Sequence, residues 1–118
     1  MSKFIIYHNP RCSKSRETLA LLEEKQVEIE VIEYLKTPPS EQELKDFVDL
    51  LGIDILHDLV RTKEPLYKEL DLSELMTDDE LAPILVEYPK LIERPIVLQG
   101  NKAVIGRPPE NVLELING

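Results

Sequence analysis

The apolar run Phe4-Ile5-Ile6-Tyr7 gives way within six residues to a helical pattern that opens at Ser13, and Cys12 stands at the junction. A start of this kind feeds a buried strand into a helix, and the residue at the join takes the helix N-terminus. Unpaired backbone N–H groups and the positive end of the helix dipole gather there, so the position favours an anion. The local charge agrees. Residues 1–16 carry Lys3, Arg11, Lys14 and Arg16 and none of the 23 acidic side chains, in a chain whose net charge is −9. Cys12 is the only cysteine. A free thiol with a pKa near 8.5 falls to roughly 3.5–7.5 in such surroundings, and the thiolate is the nucleophile. A buried structural cysteine is the alternative, since free cysteine is among the most buried residue types. The strand–cysteine–basic-helix context favours the reactive thiol.

The 118 residues suit one domain, spanning 1–118, with a single hydrophobic core. No apolar run approaches the ~20 residues of a membrane span. His8, Asn9 and Arg11 interrupt the N-terminal segment too early for a signal peptide. One cysteine cannot close an intrachain disulfide, which points to a reducing, cytoplasmic compartment. The net negative charge argues against nucleic acid as a ligand, and an anionic substrate would have to be drawn in by a local basic cluster. No metal site and no bound cofactor are expected.

Periodicity orders the rest. Residues 29–34, Ile-Glu-Val-Ile-Glu-Tyr, alternate as a second strand. Ser40 with Glu43 and Thr77 with Glu80 make two capping boxes, each opening a helix. The first helix places Leu44, Phe47, Val48 and Leu51 on one face and stops at Gly52; the second repeats the spacing through Leu81, Ile84, Leu85 and Tyr88 and stops at Pro89. A short helix is expected around Ile55, Leu56, Leu59 and Val60 between them. Residues 96–98 and 103–105 flank Gly100-Asn101 as a hairpin, and Pro109 opens a terminal helix through Val112, Leu113 and Ile116. The order β-α-β, three helices, β-β-α is that of an α/β, thioredoxin-like fold: a mixed four-stranded sheet with an all-helical insertion over about residues 40–90.

The window Cys12-Ser13-Lys14-Ser15 has a hydroxyl where two-cysteine redox proteins keep a resolving thiol. Any disulfide step must therefore draw its second thiol from another molecule. The Ser15 hydroxyl can donate to the thiolate, or it is an ordinary first-turn serine. His8, at the strand end, would lower the thiol pKa as a cation or take its proton as a base. His57 has no evident partner and reads as a surface residue. Of five arginines, Arg11 and Arg16 flank the cysteine, while Arg94 and Arg107 each precede a proline, which holds them extended. Arginine binds tetrahedral oxyanions in a bidentate fashion that lysine cannot match.

The run His8-Asn9-Pro10-x-Cys12-x-x-Ser15-Arg16 resembles the active-site signature of the glutaredoxin-coupled arsenate reductases, relatives of the Spx proteins. Three further motifs are similar in the same order: Leu59-Val60-Arg61, Arg94-Pro95-Ile96-Val97, and Arg107-Pro108. The resemblance implies a cytoplasmic enzyme of arsenical resistance. It would reduce arsenate to arsenite through Cys12, with glutathione as co-substrate and glutaredoxin as partner, and no metal. It implies Arg61, Arg94 and Arg107 as substrate arginines; His8, Ser15 and Arg16 as residues that activate the thiolate; and Pro95 as a cis-proline that turns Arg94 toward Cys12. Phosphatase-like arsenate reductases need Cys-x5-Arg, whereas Cys12 to Arg16 is Cys-x3-Arg. An Spx-type regulator that binds RNA polymerase without turnover is the alternative, although such proteins carry a Cys-x-x-Cys switch that is missing here.

Overall fold

The computed structural model describes residues 3–117, in two compact units: one comprises the residues up to Thr37 and from Arg94 onward, the other Pro38–Glu93. The first unit is built on strands β1 (Phe4–His8), β2 (Ile29–Glu33), β3 (Ile96–Gln99) and β4 (Lys102–Ile105). They form one mixed sheet in the order β2-β1-β3-β4, with β1 parallel to β2 and antiparallel to β3, and β3 antiparallel to β4. This is the expected thioredoxin-like α/β arrangement. Tyr7 lies opposite Ile96, and Ile96 opposite Ile105. That register puts three chain segments at one end of the sheet: the exit of β1, the entry to β3 and the exit of β4. Cys12, Arg94 and Arg107 stand on those three segments.

Helix α1 (Ser13–Glu24) follows β1. Its inward stripe is Ser15, Thr18 and Leu22, so the helix end nearest the cysteine faces inward with hydroxyls and turns apolar only further along. Leu22 meets Phe4, Ile6, Val97, Val112 and Leu115 in the core, with Leu19, Val27 and Ile29 packed around them. Each of these buried aliphatic and aromatic side chains contributes roughly 1.5–3 kcal/mol relative to exposure. The C-terminal segment is a 3-10 turn (Pro109–Val112) that runs into a short α-helix (Leu113–Asn117), rather than one continuous helix.

In the second unit both capping boxes form with both hydrogen bonds in place, on α2 (Glu41–Leu51) and α4 (Asp78–Glu87). Gly52 ends α2 in the left-handed conformation, with φ 70, which glycine adopts without penalty. Leu44, Phe47 and Val48 of α2 and Leu81, Ala82 and Leu85 of α4 are buried, and Lys45 pairs with Asp79 across the two helices. The expected short helix is a single 3-10 turn, Leu56–Leu59. A further helix, α3 (Pro65–Glu69), has Pro65 in its first turn. It was not evident from periodicity because five residues are too few to repeat a pattern. It also gives His57 a partner: Nε2 lies 2.7 Å from the Tyr67 hydroxyl, with the rings edge to face. His57 is therefore half-buried and hydrogen-bonded rather than a free surface group. Among the described residues no helix is long and apolar enough to cross a membrane.

Candidate active site

The loop between β1 and α1 is a tight turn. The Cys12 N–H donates to the Asn9 carbonyl at 3.0 Å and the Arg11 N–H to Asn9 Oδ1 at 3.0 Å. Cys12 is thereby left extended at the N-cap of α1, with its carbonyl accepting from the Arg16 N–H at 3.0 Å. The first turn holds no acidic side chain, so nothing local opposes the helix dipole. The Cys12 side chain is largely buried, at 8% exposure. Burial alone pushes its thiol pKa up. The Ser15 N–H, the hydrogen bond and charge of the Arg94 guanidinium, and the Lys14 N–H act in the other direction and prevail, leaving the thiol below its ordinary value.

The two proline-flanked arginines come to the sulfur. Both Arg94–Pro95 and Arg107–Pro108 are cis, the first as the resemblance implied. Arg107 Nη1 stands 3.9 Å from Cys12 Sγ. Arg94 faces the sulfur while its Nε is buried and without a hydrogen-bond partner. A buried donor left in that condition costs about 1–3 kcal/mol, which an incoming oxyanion would relieve.

Ser15 and His8 meet beside the loop. The Asn9 N–H donates to Ser15 Oγ at 3.0 Å, and His8 Nδ1 lies 2.6 Å from the same oxygen. The Ser15 hydroxyl thus joins the Asn9 N–H to the His8 ring. The Ser15 backbone N–H is among the groups that lower the Cys12 pKa. Burial is the largest influence on His8 and holds its pKa below the ordinary histidine range; Glu33 opposes this and Arg16 adds to it. This lowering favours the uncharged imidazole over the cationic one. The Arg16 guanidinium donates to the Pro10 carbonyl at 3.0 Å and braces the loop.

Arg61 belongs to the second unit. Its backbone N–H donates to the Leu91 carbonyl at 2.7 Å. Its guanidinium lies 3.0 Å from Glu64 and 3.6 Å from Glu93, with Lys90 3.7 Å from Glu64. It is held by carboxylates, in contrast to the unpaired Nε of Arg94.

Two residues that periodicity did not flag sit behind the site. Thr18 is fully buried, and Gly106 packs against it. A threonine among the apolar positions of α1 and a glycine directly before Arg107-Pro108 were the available signals. Among the described residues no group of three or more His, Cys, Asp or Glu could hold a metal ion. The assembled groups are a thiol held below its ordinary pKa, backbone donors and two guanidiniums, a set suited to thiol attack on a tetrahedral oxyanion.

The profile of the ArsC family matches residues 7–115. A protein of Escherichia coli strain K12 named "Uncharacterized protein YfgD" is 54% identical over 94% of this chain and 94% of its own length. A protein of Haemophilus influenzae named arsenate reductase is 52% identical over 95% of this chain and 97% of its own. A solved structure described as arsenate reductase from Vibrio cholerae superposes with a TM-score of 0.91 at 53% identity, covering 96% of this chain and 97% of that one.

Proposed function

This chain belongs to the ArsC family, and from that premise we propose that it is an arsenate reductase in which Cys12 is the sole protein nucleophile and external thiols supply the electrons. The observation that carries the reading is the placement of Arg94 and Arg107 against a Cys12 sulfur whose thiol is held below its ordinary pKa. The whole chain acts as one domain, and Arg61 serves as a third substrate arginine; the resemblance alone supports that last role.

Arsenate carries about −1.5 to −2 charges near neutral pH, by analogy with phosphate. The two guanidiniums bind its oxygens and offset the repulsion between it and the incoming thiolate. Cys12 Sγ attacks arsenic, an S–As bond forms, and one arsenate oxygen leaves as water. Arsenic then gains two electrons from two external thiols, which are oxidised to a disulfide, and arsenite departs with the Cys12 thiol restored. With one cysteine in the chain, both of those thiols come from outside, and glutathione with glutaredoxin is the donor pair we assign. The reaction takes place in the cytoplasm and needs no bound cofactor or metal.

The test is arsenate-dependent NADPH oxidation with glutathione, glutaredoxin and glutathione reductase. Wild type should turn over and Cys12→Ser should not. A folded wild type that shows no arsenate dependence would sink the enzyme reading in favour of an Spx-type regulator. Full activity with thioredoxin and no glutathione would overturn the donor assignment alone.

A further inference from the structure

The active end of the first unit is joined behind the sulfur by a three-way contact between α1, the segment leaving β4 and the Arg94–Pro95 junction. Thr18, one turn beyond Ser15 on α1, shares its hydroxyl proton between two carbonyls, Lys14 at 2.8 Å and Gly106 at 3.2 Å. The first bond is the back-bond open to any helical threonine. The second reaches a residue 88 positions away. The Gly106 N–H in turn donates to the Pro95 carbonyl at 2.9 Å. A Cβ on Gly106 would lie 2.5 Å from Thr18 Oγ1 and 2.9 Å from both Thr18 Cγ2 and Pro95 Cγ. Backbone and helix therefore meet at a distance that only glycine permits. The Asn111 amide closes the same loop from the other side, donating to the carbonyls of Ile105 at 3.1 Å and Arg107 at 3.2 Å.

Each partner in this contact carries one part of the thiol's surroundings. Lys14, whose N–H lowers the thiol pKa, is on α1 with Cys12. Arg107 follows Gly106, and Arg94 precedes Pro95. Packing alone does not explain the hydroxyl, because valine has nearly the shape of threonine and buries without needing a hydrogen-bond partner.

Resting on the assignment of this end of the sheet as the reaction site, we propose that Thr18 is a positioning residue: its hydroxyl, bonded to Gly106, sets the distance of the Arg94 and Arg107 guanidiniums from the Cys12 sulfur. Misplacing a reacting or stabilising group by about 1 Å can cost on the order of 100-fold in rate, so a hydroxyl that never touches substrate can still govern turnover.

The experiment compares Thr18→Val and Thr18→Ser in the full chain by the pH dependence of Cys12 alkylation with iodoacetamide and by kcat and KM for arsenate. Thr18→Val should move the alkylation midpoint upward toward that of free cysteine and lower kcat/KM by roughly 10-fold or more. Thr18→Ser keeps the hydroxyl and should retain the wild-type midpoint. Should Thr18→Val prove unfolded by circular dichroism, Thr18→Ala removes the same hydroxyl with less bulk facing Gly106, and the same shift is expected of it. A folded variant without the hydroxyl but with the wild-type alkylation profile would overturn the proposal, as would a serine variant that behaves like valine. The alkylation arm needs no arsenate, so it decides the positioning role even if the wild type fails to reduce arsenate.

Discussion

Removing Arg107 and removing Arg94 should have separable consequences, although both guanidiniums attend the same sulfur. Arg107 Nη1 is 3.9 Å from Sγ, but the residue is exposed. The groups that lower the Cys12 pKa are the Ser15 and Lys14 N–H groups and Arg94, and solvent and physiological salt screen an exposed guanidinium. Arg107→Ala should therefore leave the pH profile of Cys12 alkylation close to that of the wild type. Toward bound arsenate the same guanidinium offers charge-assisted hydrogen bonds, each worth about 1.5–3 kcal/mol. Losing one lowers kcat/KM by roughly 10- to 150-fold. Arg94 is half-buried and lowers the thiol pKa through both a hydrogen bond and its charge. Arg94→Ala should accordingly shift the alkylation midpoint upward and reduce arsenate turnover together. The assays are iodoacetamide alkylation over a pH series and coupled arsenate reduction on the same preparations. If Arg107→Ala moved the alkylation midpoint as far as Arg94→Ala, the division of labour between the two arginines would be refuted.

Three further outcomes are expected. The Cys12 thiol is depressed in the folded chain, so its ionisation contributes stability that is fully present above the unfolded thiol's pKa and is lost as pH falls through the folded one; urea unfolding should show the advantage of wild type over Cys12→Ser shrinking across that window as pH is lowered. Ser15→Ala leaves the Asn9 N–H without its acceptor and His8 Nδ1 without its hydrogen-bond partner and should cost about 1–3 kcal/mol in denaturant unfolding, while the alkylation midpoint stays near that of the wild type because the backbone N–H remains; a large upward shift would make the hydroxyl a direct partner of the thiolate. Arg61→Ala should lower arsenate turnover with an unchanged alkylation profile, and unaltered arsenate kinetics would remove Arg61 from the substrate set and leave it as the ion-pair partner of Glu64 and Glu93.

The local grammar of the chain was sufficient for most of its elements, though not for the five-residue α3. Ser40 with Glu43 and Thr77 with Glu80 form capping boxes as expected, Gly100-Asn101 turns the hairpin between β3 and β4, and Cys12 caps α1. Each of these is decided by residues within four positions of one another, which is why spacing alone reveals them. Four motifs in order, from His8 to Pro108, likewise carried the family before any coordinate. Tertiary structure decided what depends on distant segments meeting. The pairing of Tyr7 with Ile96 joins residues nearly 90 positions apart, and it is this register that delivers Arg94 to the sulfur. The Ser15 hydroxyl read as a donor to the thiolate or as an ordinary first-turn serine, and only the folded loop brings it to the Asn9 N–H and the His8 ring. The His8 pKa is lowered by its burial, a quantity that no periodicity encodes. Thr18 and Gly106 look ordinary in the chain, and their importance exists only where helix and loop come within 3.2 Å. Periodicity specifies which face of an element turns inward; which atom it meets there depends on every other element of the sheet.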